Sequence, residues 1–159
     1  MKKLTLAALA LAFAAPAFAA DPPTAAPTQE QVIAEFTKDL QAKRADVMAK
    51  GMTLSADQAA KFWPLYEQFQ HEQDAIVNGQ ITATQAYAEH FATLTDADAL
   101  AYVNALLDRD AKMHDLRVKW LAKFQTVVPA KVAARAIQLD RRLSQVAQVK
   151  VSSQIPLIP

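Results

Sequence analysis

Apolar residues recur every three or four positions through four stretches of the chain, the period of a helix that buries one face. In the first stretch Ile33, Phe36, Leu40 and Val47 share a stripe. Thr28 and Gln31 are placed to cap it reciprocally, and Gly51 to close it as a C-terminal cap. The second begins at Ser55, with Gln58 as box partner, and its stripe is Phe62, Tyr66, Phe69 and Ile76. Pro64 lies well inside it, where a lost amide and a clash with the Ala60 carbonyl predict a kink or local break. Asn78-Gly79 reads as a stop, followed by a shorter helix over 83–92 that turns Tyr87 and Phe91 inward. The third helix starts at Thr95 and is the longest. Ala99, Val103, Leu106, Met113, Trp120, Phe124 and Val127 form its stripe, which Asp110 and Arg117 interrupt. Pro129 suits the first turn of a fourth helix, faced by Val132, Ala136, Leu139, Leu143 and Val146. Residues 152–159 (SSQIPLIP) predict a non-helical tail whose apolar side chains dock back onto the bundle.

Composition agrees with an all-α chain. There are 2 glycines among 159 residues and 52% are hydrophobic, which favours helices and starves turns. The length suggests one domain. The first segment stands apart: Lys2 and Lys3 precede the apolar run from Leu4 to Ala15, Pro16 breaks it, and Ala17-Phe18-Ala19 offers small residues at a cleavage site. Residues 1–19 are therefore expected to be a cleaved export signal, leaving a mature N-terminus at Ala20. That run falls short of the roughly 20 residues a permanent anchor needs, and no second run qualifies, so no stable membrane insertion is expected. Residues 20–27 (ADPPTAAP) read as a flexible Pro-rich lead-in, and residues 28–151 as the helical domain. Cysteine is absent, which excludes disulfides and thiolate chemistry.

Two helix starts use the same device. Leu54-Ser55-Ala56-Asp57-Gln58 and Leu94-Thr95-Asp96-Ala97-Asp98 each set an apolar residue before a hydroxyl cap, with a polar acceptor three positions on. By itself this says that two helices begin sharply. The pair of motifs, the aromatic-rich second helix and the long third helix resemble the LTxxQ arrangement of the Spy/CpxP family of Gram-negative periplasmic proteins. Ser55 stands for the first Thr and Asp98 for the second Gln. Both can still cap, and the charge of Asp98 suits a helix N-terminus. The resemblance implies a periplasmic location and a cradle-like homodimer of bent antiparallel helical hairpins, four to five helices in all. It also implies a role as an ATP-independent chaperone for partly unfolded polypeptides in envelope stress. A regulatory protein docking on an envelope stress sensor, or a metal-responsive accessory protein, falls within the same range.

Charge divides along the chain. Residues 20–108 hold 5 basic and 13 acidic side chains, whereas residues 109–159 hold 10 basic and 3 acidic. Arg109, Lys112, Lys119 and Lys123 can share one side of the third helix, and Lys131, Arg135 and Arg142 a row on the fourth. Two readings follow. The halves pair within a monomer or across a dimer, leaving ordinary solvated charges. Alternatively, Arg109, Lys112, Lys119, Lys123, Arg135 and Arg142, with Trp63, form a client surface that attracts acidic unfolded chains. The acidic half would repel phosphates, so nucleic acid is not an expected partner.

Candidate chemistry is sparse. His71, His90 and His114 are not spaced three or four apart, so there is no helical two-histidine clamp. His71 with Asp74, or His114 with Asp110, supplies at most two ligands, and no metal or other cofactor is expected. Glu67, Glu72 and Asp74 read as dispersed acids on a polar face. No phosphate loop, Ser/His/Asp order or zinc-protease motif occurs, so the chain is not expected to be an enzyme. Trp63, Phe69, Trp120, Met48 and Met113 suit either a core or an adaptable concavity. Trp63, one position off its stripe, is the best candidate for the latter.

Overall fold

A computed structural model describes residues 29–159; for 29–37, 39 and 40 it describes the backbone alone. The predicted export signal, the lead-in, the Thr28–Gln31 cap and the side chains of Ile33, Phe36 and Leu40 lie outside the described residues. Four α-helices follow in order: α1 (Gln29–Gly51), α2 (Ala56–His90), α3 (Asp96–Gln125) and α4 (Ala130–Ser152). A 3₁₀ turn, Phe91–Thr93, joins α2 to α3. Among the described residues there is no strand, and no helix is long and apolar enough to cross a membrane.

Both predicted helix starts are capping boxes. Ser55 Oγ accepts from the Gln58 amide at 3.3 Å while Gln58 Oε1 accepts from the Ser55 amide at 3.1 Å. Thr95 Oγ1 accepts from the Asp98 amide at 3.2 Å, and Asp98 Oδ2 accepts from the Thr95 amide and hydroxyl at 3.1 and 2.6 Å. Leu54 packs half-buried against the core at the first start.

Between these caps α2 runs 35 residues without interruption, so neither a local break at Pro64 nor a stop at Asn78-Gly79 occurs. Pro64 does not break it: Pro64 and Ala60 are both exposed, on the side of α2 where the carbonyl that loses its amide can be solvated. Asn78-Gly79 does not stop it. Gly79 keeps a negative φ, and the packing of α2 on α3 carries the helix past a residue whose intrinsic cost is only about 1 kcal/mol. The segment 83–92 is thus the end of α2, not a separate helix.

Contacts between α2 and α3 fix their relative direction. Phe62 meets Phe124 at 5.0 Å between ring centroids, Phe69 meets Trp120 at 6.0 Å, and Tyr87 stacks on Tyr102 at 4.2 Å. Rising numbers in α2 meet falling numbers in α3, so the two run antiparallel. The main core lies at one end, where Met48, Met52, Phe62, Tyr66, Phe69, Trp120, Phe124, Val128, Ala133 and Ala136 come together from all four helices and the loops at their ends. Further along, the pair is held by Tyr87, Phe91 and Tyr102.

Several predicted stripe positions are rotated. Among the described side chains of α1 the buried one is Met48, whereas Val47 is exposed. In α3 Val103 is exposed. In α4 the buried face is Ala133, Ala136, Asp140 and Ser144, and Val146 points to solvent. Small residues let α4 approach its neighbours closely, so its larger aliphatic side chains flank the contact instead of filling it. Pro129 precedes α4 as its cap residue, its carbonyl accepting from Val132 and Ala133 at 2.8 and 3.0 Å.

Gly51 also has a different role from the one expected. It has no positive φ, so it is not a left-handed cap. A Cβ there would stand 2.7 Å from Leu139 Cδ1, and its carbonyl accepts from Arg135 Nε at 2.6 Å. Glycine lets α4 pass close to the end of α1. The tail docks only in part. Ser152 still belongs to α4, Ile155 is half-buried, and Tyr87 donates to the Pro156 carbonyl at 3.0 Å, but Leu157 is 90% exposed.

Candidate functional site

A buried polar chain crosses from α2 to α4 and on to α3. Gln73 and Asp140 have no solvent exposure. Gln73 Nε2 donates to Asp140 Oδ1 at 2.9 Å, and Arg117 Nε donates to Asp140 Oδ2 at 3.1 Å. A carboxylate taken wholly out of water survives only with such partners. Arg117, which interrupts the apolar stripe in the sequence, is therefore the counter-ion of a buried acid on the next helix.

Arg117 also lines an open cleft of about 600 Å³ between α3 and α4. Arg109, Arg141 and His114 line it too, with Met113, Val118, Leu121 and Ile137 as its apolar surface and Ser144, Gln145 and Gln148 as its neutral polar surface. Three donors of these walls, Arg109 Nε, Arg117 Nη2 and Ser144 Oγ, are buried without a hydrogen-bond partner. Asp110 is the acid of the lining, and Arg109 Nη1 donates to it at 2.7 Å.

Beside the cleft α3 shows an apolar ridge to solvent. Leu100 and Leu107 are 63% and 61% exposed, and Val118 continues the same face eleven residues on. On α4, Val146 and Val149 are 71% and 68% exposed. Scattered exposed aliphatics are ordinary, but these follow helical spacing along two neighbouring helices.

The basic residues singled out from sequence do not form one surface. Arg109 alone of them lines the cleft. Lys112 pairs with Asp108 at 2.7 Å, one turn away on the same helix. Lys119 reaches across to Glu72 on α2 at 2.6 Å, and Lys123 lies 4.1 Å from the Trp120 ring centroid. Glu72 also accepts from Trp120 Nε1 at 3.2 Å. The hydrogen bond from Lys119, with that from Trp120, holds the Glu72 carboxyl below the ordinary carboxylate range against a smaller opposing effect of desolvation. Arg135 serves the Gly51 carbonyl, and Arg142 is exposed on α4. Trp63 is half-buried, edge-on to Phe62 at 5.2 Å and to Tyr66 at 5.9 Å. Met48, Met113, Phe69 and Trp120 are core residues.

Sequence periodicity missed Gln73, Asp140, Ser144 and Arg141. Gln73 and Asp140 were legible only as polar residues at near-core spacing, and nothing local marks Arg141 among the arginines of α4. His71, His90 and His114 are each exposed, and among the described residues no three His, Asp or Glu side chains gather as a metal-binding group. No protein-family model, curated protein or solved structure matches the chain. The resemblance to the Spy/CpxP family therefore rests on the features of the sequence itself.

Proposed function

We propose that this chain is an exported, non-enzymatic periplasmic protein that holds partly unfolded polypeptides without nucleotide, in the manner of the Spy/CpxP family. The observation that carries the reading is the unpartnered apolar ridge of α3 and α4 running beside an arginine-lined cleft. Such a surface suits loose, adaptable capture: apolar contacts hold many sequences weakly, and arginines raise the encounter rate with acidic ones. The finer architecture belongs to the same proposal. Antiparallel α2 and α3 form one bent hairpin of a cradle, and a second copy supplies the other half.

Aggregation of a chemically denatured client, followed by light scattering with and without the purified protein, tests this. Suppression at near-stoichiometric amounts, without ATP, is expected. Absence of suppression, together with capture of a single envelope sensor at fixed stoichiometry, would replace the chaperone reading with a regulatory one.

A further inference from the structure

We propose that the cleft between α3 and α4 is a recognition site for an acidic segment of an extended polypeptide, a carboxylate flanked by apolar side chains. The proposal deepens the chaperone reading and rests on it for the source of the ligand.

The donor balance of the cleft selects the anion. Arg117 is fixed by its Nε bond to Asp140, so its guanidinium stands in one orientation without a ligand. Its Nη2, Arg109 Nε and Ser144 Oγ are buried donors with no acceptor in the protein. Arg141 adds a third guanidinium and forms no ion pair among the described residues. Buried donors are almost always satisfied, and guanidinium groups match the two oxygens of a carboxylate. Opposing them are Asp110, which is bound to Arg109, and Asp140, already occupied from two sides. The cleft therefore offers more donors than it can satisfy.

The remaining lining distinguishes a peptide from other anions. Gln145 and Gln148 present both a donor and an acceptor each, the pairing that a peptide backbone requires and an acyl chain does not use. Val118 belongs to the cleft and also continues the exposed ridge, so apolar neighbours of the bound carboxylate can run on along α3.

The test uses the full exported chain and a short fluorescent peptide carrying one glutamate between leucines, compared with its glutamine counterpart by anisotropy. Tighter binding of the glutamate peptide, by about tenfold, is expected from charge-assisted hydrogen bonds. Arg109→Gln combined with Arg141→Gln removes two of the three guanidinium groups and should reduce that preference to about twofold or less. These two side chains, unlike Arg117, do not hold the buried acid, and circular dichroism checks that the variant keeps its helices. Equal affinity for the two peptides overturns the inference, as does a preference undiminished in the double variant. Binding to anionic phospholipid vesicles without binding to the peptide overturns it as well. The two levels separate. Aggregation suppression without a glutamate preference removes the site and leaves the chaperone reading, whereas a preference without suppression keeps the site and removes the chaperone reading.

Discussion

Arg117 of α3 and Asp140 of α4 form an ion pair at 3.1 Å in which the acid is wholly buried and the base reaches the edge of a cleft. One interaction thus joins the packing of two helices to the chemistry of the candidate site. Its energetics are asymmetric. The pair, with Gln73 on the far side, roughly offsets its own desolvation, but either half alone is a liability.

Arg117→Met should therefore cost roughly 3–5 kcal/mol, because it strands the buried carboxylate. Arg117→Met combined with Asp140→Leu should recover most of that loss. Chemical denaturation of both variants measures the coupling; additive losses would mean that the pair contributes nothing as a unit.

The two caps are expected to be structural. Ser55→Ala and Thr95→Ala should each cost about 0.5–2 kcal/mol through an amide left unbonded at a helix start. At the second cap a pH signature accompanies the loss. Hydrogen bonds from the Thr95 hydroxyl, and then from its amide, hold the Asp98 carboxyl below its ordinary value. The stabilisation from Asp98 is thus complete above the unfolded-state pKa of about 3.9 and is lost as pH falls through the lowered folded value. In Thr95→Ala the Asp98 midpoint, followed by NMR titration, should rise towards the ordinary value.

The two glycines should respond differently to the same change. Nothing lies within 4 Å of a Cβ at Gly79, so Gly79→Ala in mid-helix should stabilise by about 0.5–1 kcal/mol. At Gly51 the added methyl would press on Leu139, only 2.7 Å away, and α4 must shift or Leu139 must turn. Thermal melts should show Gly79→Ala above the parent and Gly51→Ala below Gly79→Ala. The reverse order would contradict the close approach of α1 and α4.

Tyr66 lies in the aromatic core with its hydroxyl buried and unbonded, and burial pushes the phenol well above its usual pKa. Removing an unsatisfied hydroxyl removes a desolvation cost while the ring stays in place. Tyr66→Phe is expected to leave stability unchanged or to raise it, as read from the denaturation midpoint. A clear loss would reveal a hydrogen bond to that hydroxyl.

Much of this protein was legible in its chain order. Capping chemistry is local: a hydroxyl and an acceptor three residues apart decide a helix start, so Ser55 and Thr95 were found without any fold. The aromatic stripe of α2 was also determined locally, because Phe62, Tyr66 and Phe69 leave one face to bury. Helix stops are less local. Asn78-Gly79 has the composition of a helix end, yet α3 packs along α2 and overrides a penalty of about 1 kcal/mol. What lay beyond the sequence depends on where α4 comes to rest. Its small-residue face turns inward against α1 and α3, which buries Asp140 and Ser144, leaves Val146 and Val149 in solvent, and sets Leu139 against Gly51. No local pattern encodes that rotation, because it minimises the distance between helices that are far apart in the chain. The cleft, with Arg109 and Arg117 on one wall and Arg141 on the other, exists only once that packing is made.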